Sequence, residues 1–250
     1  MKKTTLILSV VLALLVALLI GLIYYPIHMH NKMKALDYEV WGGMTDELTD
    51  SEFYEDMQSG KSFCFMGDSI TRGSVIWDIP WYEPLLPYIN GDVSQLADGG
   101  WVVIDLIKRA DKIPDADIYV IAIGINDVLS PYDEGVATTA EEYTASLQEL
   151  LDCVTAVNPE ARVYFISPWI YFNEDPVARG ESFREAQREW CNGNDSVYID
   201  PLPAMLSVMD EEGATRFMFN GCHPTAPDGV GLYSYGVLEA EHLRRVGTVG

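Results

Sequence analysis

Three short segments of this chain carry residue types that could act together on an acyl group. The first is Gly67-Asp68-Ser69-Ile70-Thr71, which follows the apolar pair Phe65-Met66. A serine hydroxyl is a weak nucleophile until a neighbouring base takes its proton. Imidazole titrates near neutrality and is the usual base for that step. Of the four histidines, His28 and His30 adjoin the apolar N-terminal run and His242 falls in a helical stretch near the C-terminus. His223, in Asn220-Gly221-Cys222-His223-Pro224, is the histidine placed in a loop of catalytic type. The third segment is Gly124-Ile125-Asn126-Asp127; a side-chain amide such as that of Asn126 can donate to a developing oxyanion. Taken singly each segment has a plainer reading: a turn with an N-cap serine, an Asx-turn, a loop histidine before a proline.

Chemistry requires that these segments meet, so the elements between them matter. Four apolar runs, Ser62–Met66, Ile118–Ile123, Arg162–Ile166 and Val197–Ile199, read as buried strands of a parallel sheet. Between them lie helical patterns at Trp101–Ala110, Ala140–Val157, Ser182–Trp190 and Ser234–Arg245. The clearest is Ala140–Val157, with Tyr143, Leu147, Leu150, Leu151, Val154 and Val157 on one face. Thr139 and Glu142 form a capping-box pattern at its start and Asn158-Pro159 ends it. Alternating strands and helices predict an α/β domain with a mostly parallel sheet. Ligands of such sheets sit at the carboxyl ends of the strands, where Ser69 and Asn126 fall.

The order Gly-Asp-Ser-Ile-Thr, Gly-x-Asn-Asp and x-x-His-Pro resembles the SGNH/GDSL hydrolases, over residues 61–245. The resemblance implies a flavodoxin-like three-layer α/β/α sandwich whose members hydrolyse or transfer acyl groups with no metal and no cofactor. It implies Ser69 as nucleophile and His223 as general base. The implied oxyanion hole is built from the Ser69 N–H, a glycine N–H and the Asn126 amide. In Ala97-Asp98-Gly99-Gly100-Trp101 the glycine is taken as Gly100, because Asp105 then fits the following helix of the family pattern; Gly99 is the alternative. One position departs from the family. An aspartate usually stands three residues before the histidine, and here that residue is Asn220. Asn220 could orient His223 through its carbonyl oxygen without a charge. Asp228 could substitute for the missing acid, or the protein could be a degenerate binder.

Aromatic residues follow several of the strand ends: Trp77, Trp81 and Tyr82 after the serine, Trp101 after the glycine pair, Trp169 and Tyr171 after the third run. Core packing is the commoner use of such rings, but rings beside a strand-end site suit stacking on sugar faces. Trp101 and Trp169, with Asp68 and Asp127, are therefore candidate substrate contacts. The expected substrate is a small acyl ester, acetyl first, on cell-surface or extracellular carbohydrate. The alternatives are an O-acyltransferase of the same fold and a catalytically degenerate glycan-binding protein.

The remaining features place the domain. Residues 4–25 are almost wholly apolar after Lys2 and Lys3. That is long enough to span a bilayer and longer than the apolar core of most signal peptides. The expected layout is an anchor over residues 1–25, a juxtamembrane stalk over 26–60 and a hydrolase domain over 61–250, with the domain outside the cytoplasm. A cleaved signal peptide is the alternative. A net charge of −22 argues against nucleic-acid partners, which need a basic footprint. Cys64, Cys153, Cys191 and Cys222 contain no C-x-x-C pair and allow either disulfides or free thiols.

Overall fold

The computed structural model describes residues 2–130, 136–170 and 174–247. They fall into two compact units, divided between Asp37 and Tyr38. The first holds α1 (Lys2–Lys34), of which Leu14–Lys34 is long and apolar enough to cross a membrane. In the second unit α2 (Asp46–Thr49) and α3 (Glu52–Gln58) precede a five-stranded parallel sheet. The sheet has the order β2-β1-β3-β4-β5, with β1 Phe63–Gly67, β2 Val93–Ala97, β3 Ile118–Ala122, β4 Arg162–Ile166 and β5 Val197–Ile199. The helices are α4 (Ser69–Arg72), α5 (Val103–Ile107), α6 (Ile125–Leu129), α7 (Ala140–Val157), α8 (Glu174–Asn192), α9 (Leu202–Glu212), α10 (Ala214–Phe217) and α11 (Asp228–Arg245). The alternation predicted the parallel sheet, and its flanking helices make the three-layer α/β/α sandwich that the family resemblance implies. One helical layer groups α5, α7 and α8; the other groups α9 and α11 with α2 and α3.

The strands form where apolar residues run without a break. Every residue of β1 and β3 is buried, as central strands of a parallel sheet require. β2 has no counterpart in the sequence reading. Its residues Val-Ser-Gln-Leu-Ala are exposed or half-buried, and Ser94 and Gln95 interrupt the apolar run that marks the others. α7 has the predicted bounds, and Thr139 Oγ1 accepts from the Glu142 N–H at 3.1 Å. The reciprocal half of the capping box is not made. The Glu142 carboxylate instead accepts from the Thr138 N–H (2.8 Å) and hydroxyl (2.6 Å).

The domain boundary differs from the sequence expectation. Residues 38–60 are not a stalk: Val40, Leu48, Phe53 and Met57 are buried in the core. Tyr164 Oη of β4 donates to Asp56 Oδ2 at 2.8 Å and the Trp41 N–H donates to the Gly231 carbonyl at 3.1 Å. The polar, acidic look of the segment comes from the outward face of two short helices, whose apolar residues are too few to show a period. The four cysteines are free thiols.

Candidate active site

β1 and β3 are neighbours with Gly67 opposite Ala122, so Ser69 and Asn126 leave the sheet side by side at its carboxyl edge. Gly67 is required there: a Cβ would overlap the Ala122 carbonyl and the Thr71 side chain. Gly124 turns the chain after β3 with a φ of +116°, where a Cβ would collide with the Tyr143 ring. Asp68 caps α4, its Oδ1 accepting from the Ile70 N–H at 2.9 Å, and Ser69 becomes the first residue of that helix. Its N–H is therefore one of the donors that a first helical turn leaves without an internal partner.

The tight turn before α11 brings in the imidazole. The Phe219 N–H donates to the His223 carbonyl at 2.8 Å, with Met218 and Pro224 bridged across the turn. His223 Nε2 lies 2.8 Å from Ser69 Oγ. Its Nδ1 lies 3.0 Å from Asn220 Oδ1, and its backbone N–H donates to the same oxygen at 3.1 Å. An amide oxygen can only accept, so Nδ1 carries the proton and Nε2 is free to accept from the serine hydroxyl. Burial holds the His223 pKa below its ordinary value. Asp228, the alternative acid, is engaged elsewhere, accepting from Arg216 Nε at 2.7 Å. The position three residues before the histidine is thus the one that meets the ring, although it is an amide.

The third segment joins the loop after β2. Asn126 Nδ2 donates to the Trp101 carbonyl at 2.9 Å, which leaves the second proton of that amide for another acceptor. The loop is held further by Asp105 Oδ2 on the Val102 N–H (3.2 Å) and Asp127 Oδ2 on the Val103 N–H (3.3 Å). Gly100 has a φ of +75° and nothing within 4 Å of an added Cβ. Gly99, the alternative, lies against Ser74.

Three of the four candidate substrate contacts turn inward. Trp169 is only 1% exposed and packs on Tyr233. Asp68 and Asp127 are buried as well, serving the backbone N–H groups just named. Strand-end position put these residues near the edge, but their side chains fill the layer beneath it. Trp169 and Asp68 line a cavity of about 10 Å³, room for one water and not for an acyl chain. Burial, with the Asp127 charge adding to it, pushes Asp68 up to about 7; burial pushes Asp127 to about 6. Trp81 and Tyr82 are also core residues, Tyr82 stacked on Phe65. Trp101 stays half-exposed, with the Arg109 guanidinium 4.2 Å from its ring centre, and Trp77 is half-exposed with a φ of +63°. Tyr171 lies outside the described residues.

Two neighbours of the site carried no sequence signal. Cys222 Sγ lies 3.4 Å from Asn220 Oδ1 and 3.2 Å from His223 Nδ1, and burial raises its pKa to about 11, so it is a thiol. Phe219, 70% exposed, stands at the mouth of the histidine turn. Among the described residues no group of histidine, cysteine and carboxylate side chains is arranged to hold a metal.

The sequence profile of the GDSL-like lipase/acylhydrolase family matches residues 65–227. No curated protein matches the chain. Among solved structures, Axe2, an acetylxylan esterase from Geobacillus stearothermophilus, is similar with 20% identity and a TM-score of 0.61, over 77% of this chain and 96% of that one. LAE5, an alpha/beta hydrolase from the metagenome of Lake Arreo, Spain, is similar with 19% identity and a TM-score of 0.60, over 73% and 95% of the two chains. These likenesses bear on the fold. The profile spans all three segments of the site, and the chain belongs to the GDSL-like lipase/acylhydrolase family, serine hydrolases of the SGNH type.

Proposed function

We propose that this chain cleaves small acyl esters, acetyl foremost, on cell-surface or extracellular carbohydrate, through an acyl-serine formed on Ser69. The observation that carries the reading is the relay Ser69 Oγ–His223 Nε2 at 2.8 Å and His223 Nδ1–Asn220 Oδ1 at 3.0 Å. His223 takes the serine proton as Oγ attacks the ester carbonyl. The Ser69 N–H, the Gly100 N–H and the free proton of the Asn126 amide receive the oxyanion. His223 then returns the proton to the departing alkoxide, and water repeats the sequence on the acyl-serine. Asn220 keeps the ring in the tautomer this requires but supplies no negative charge to the imidazolium.

The carbohydrate part rests on two supports. Axe2 is named for acetylxylan, and Trp101, whose carbonyl accepts from Asn126, and Phe219, whose N–H donates to the His223 carbonyl, leave ring surface exposed beside the site. The same geometry would serve an O-acyltransferase if an alcohol replaced water. Asn220 favours a binder with little turnover as the competing outcome. The test is turnover of p-nitrophenyl acetate and release of acetate from acetylated xylan by the detergent-solubilised full chain, beside Ser69→Ala. Ser69-dependent release from both supports the reading. Release from the small ester alone removes the glycan part, and glycan binding with no release favours the binder.

We further propose that α1 is retained as a single-pass anchor with the domain outside the cytoplasm. Its support is the 21-residue span Leu14–Lys34, with no small-residue cleavage pattern before Tyr24-Tyr25-Pro26. A full-length N-terminus on the mature membrane protein, with the domain open to external protease, is the expected result; a mature chain lacking α1 would overturn it.

A further inference from the structure

The residue that departs from the family pattern is followed by a glycine. The chain has three Asn-Gly pairs, Asn90-Gly91, Asn192-Gly193 and Asn220-Gly221. Without a Cβ, the nitrogen of a following glycine approaches the asparagine side chain with the least hindrance. At Asn220 the surroundings add something the other two pairs lack. Oδ1 receives the His223 backbone N–H at 3.1 Å and the His223 Nδ1–H at 3.0 Å, with the Cys222 thiol at 3.4 Å. At Asn90 the contacts are made by Nδ2, to the Gln58 carbonyl and Oε1. Among the described residues no donor reaches Oδ1 of Asn90 or of Asn192. Asn220 is exposed, and the Gly221 N–H has no acceptor among the described residues.

We propose that Asn220 is a self-modification site: it deamidates in the folded protein, and the aspartate so formed completes a Ser-His-Asp triad. The Gly221 nitrogen, having given its proton to a solvent base such as hydroxide, attacks Asn220 Cγ; the bond from Cγ to the side-chain nitrogen breaks, and that nitrogen takes a proton from water and leaves as ammonia. Water then adds its oxygen to Cγ of the resulting succinimide and breaks the bond from Cγ to the Gly221 nitrogen, which takes back a proton from that water. The main chain is restored and a carboxylate remains. One water is consumed and one ammonia released, with no oxidant or reductant. In both steps negative charge builds on the oxygen that the three donors already face, which is how an oxyanion hole lowers such a barrier. The same donors polarise Cγ rather than the main-chain carbonyl of the succinimide, so water is directed to the bond whose cleavage gives aspartate and not isoaspartate. The product carboxylate accepts the same three hydrogen bonds, now charge-assisted, and supplies the charge that an imidazolium needs.

The benefit to turnover rests on the proposed role of residue 220 in orienting His223; the conversion itself does not. The test is to age the freshly purified full chain in detergent at mildly alkaline pH in heavy-oxygen water and to map tryptic peptides by mass and by chromatography against synthetic aspartyl and isoaspartyl peptide standards, since the two isomers have the same mass. Peptide 217–244 contains Asn220 as its only asparagine. Position 220 should gain labelled aspartate roughly ten-fold or more faster than positions 90 and 192 gain theirs. Turnover of p-nitrophenyl acetate should climb with that fraction towards the level of Asn220→Asp. Ser69→Ala should convert at the wild-type rate, and Cys222→Ala, which removes one donor, should convert roughly 2–10-fold more slowly. Retention of the amide at 220 while 90 and 192 convert, or isoaspartate as the main product, would overturn the proposal. Loss of the amide with no turnover even in Asn220→Asp would sink the triad and the esterase reading together. Ser69-dependent turnover with a permanent amide would sink the deamidation alone.

Discussion

At the scale of single residues the site turns on what faces Nδ1 of His223. A carboxylate there would fix the tautomer and stabilise the imidazolium; the Asn220 amide fixes the tautomer only. Burial lowers the His223 pKa and no adjacent charge raises it. The ring of the fresh protein therefore stays neutral and able to accept a proton to below pH 6.5, and activity should fall only as pH drops through that lowered value. Asn220→Asp favours the charged ring and should move the acid limb of the pH–rate profile upward by about 1 unit or more. It should also raise plateau kcat by roughly 10- to 10³-fold, short of the ~10⁴ seen for the reverse change in a serine protease. A profile of unchanged shape in the variant would mean that position 220 does not govern the ring. Asn126→Ala should lower kcat by about 10²–10³ with little change in KM, the signature of a donor used at the oxyanion; a change confined to KM would assign Asn126 to ground-state binding.

At the scale of elements, the turns after β1 and β3 deliver the nucleophile and the amide, and their carboxylates look inward. Asp68 and Asp127 stand above the ordinary carboxylate range because they are buried. The stability their protonated forms lend is complete at acid pH and is lost as pH rises through about 6 and 7. Asn is as good an N-cap as Asp, so Asp68→Asn should keep α4 capped and remove the cost of a buried charge. Its gain should be on the order of 3 kcal/mol at pH 8 and near zero at pH 4, read from denaturant unfolding at the two pH values. A variant less stable at both would show that the carboxylate is needed in its ionised form. The strands of the sheet centre and the 3.6-residue period of α7 were legible because burial on both faces, or on one stripe, leaves a repeating pattern. β2 was not, since half-exposed Ser94 and Gln95 carry no such mark. The inward turn of Trp169 was not, since a residue's distance from a strand end says nothing of which way its ring points.

For the whole molecule, the three segments that met at the sheet edge were legible as types and order, and the parallel topology explains why distant segments converge. The start of the domain leaves no such mark, because α2 and α3 are short and acidic on their outward faces. The structure puts Val40, Leu48, Phe53 and Met57 in the core. At about 1.5–3 kcal/mol for each buried side chain, their removal exceeds the margin of many domains. A chain starting at Tyr38 should unfold cooperatively near the full-length transition, whereas one starting at Lys61 should aggregate or melt without a cooperative step. Equal melting of the two would contradict the packing of residues 38–60.

Every role given to the site residues depends on acyl transfer to Ser69. The direct measurement is rapid quenching of the full chain with p-nitrophenyl acetate, followed by mass mapping of the tryptic peptide 62–72. A transient acetyl group on Ser69 that accumulates in wild type, decays to free enzyme and fails to form in His223→Ala is the expected result. Turnover that leaves Ser69 unmodified, or that persists in Ser69→Ala, would contradict it.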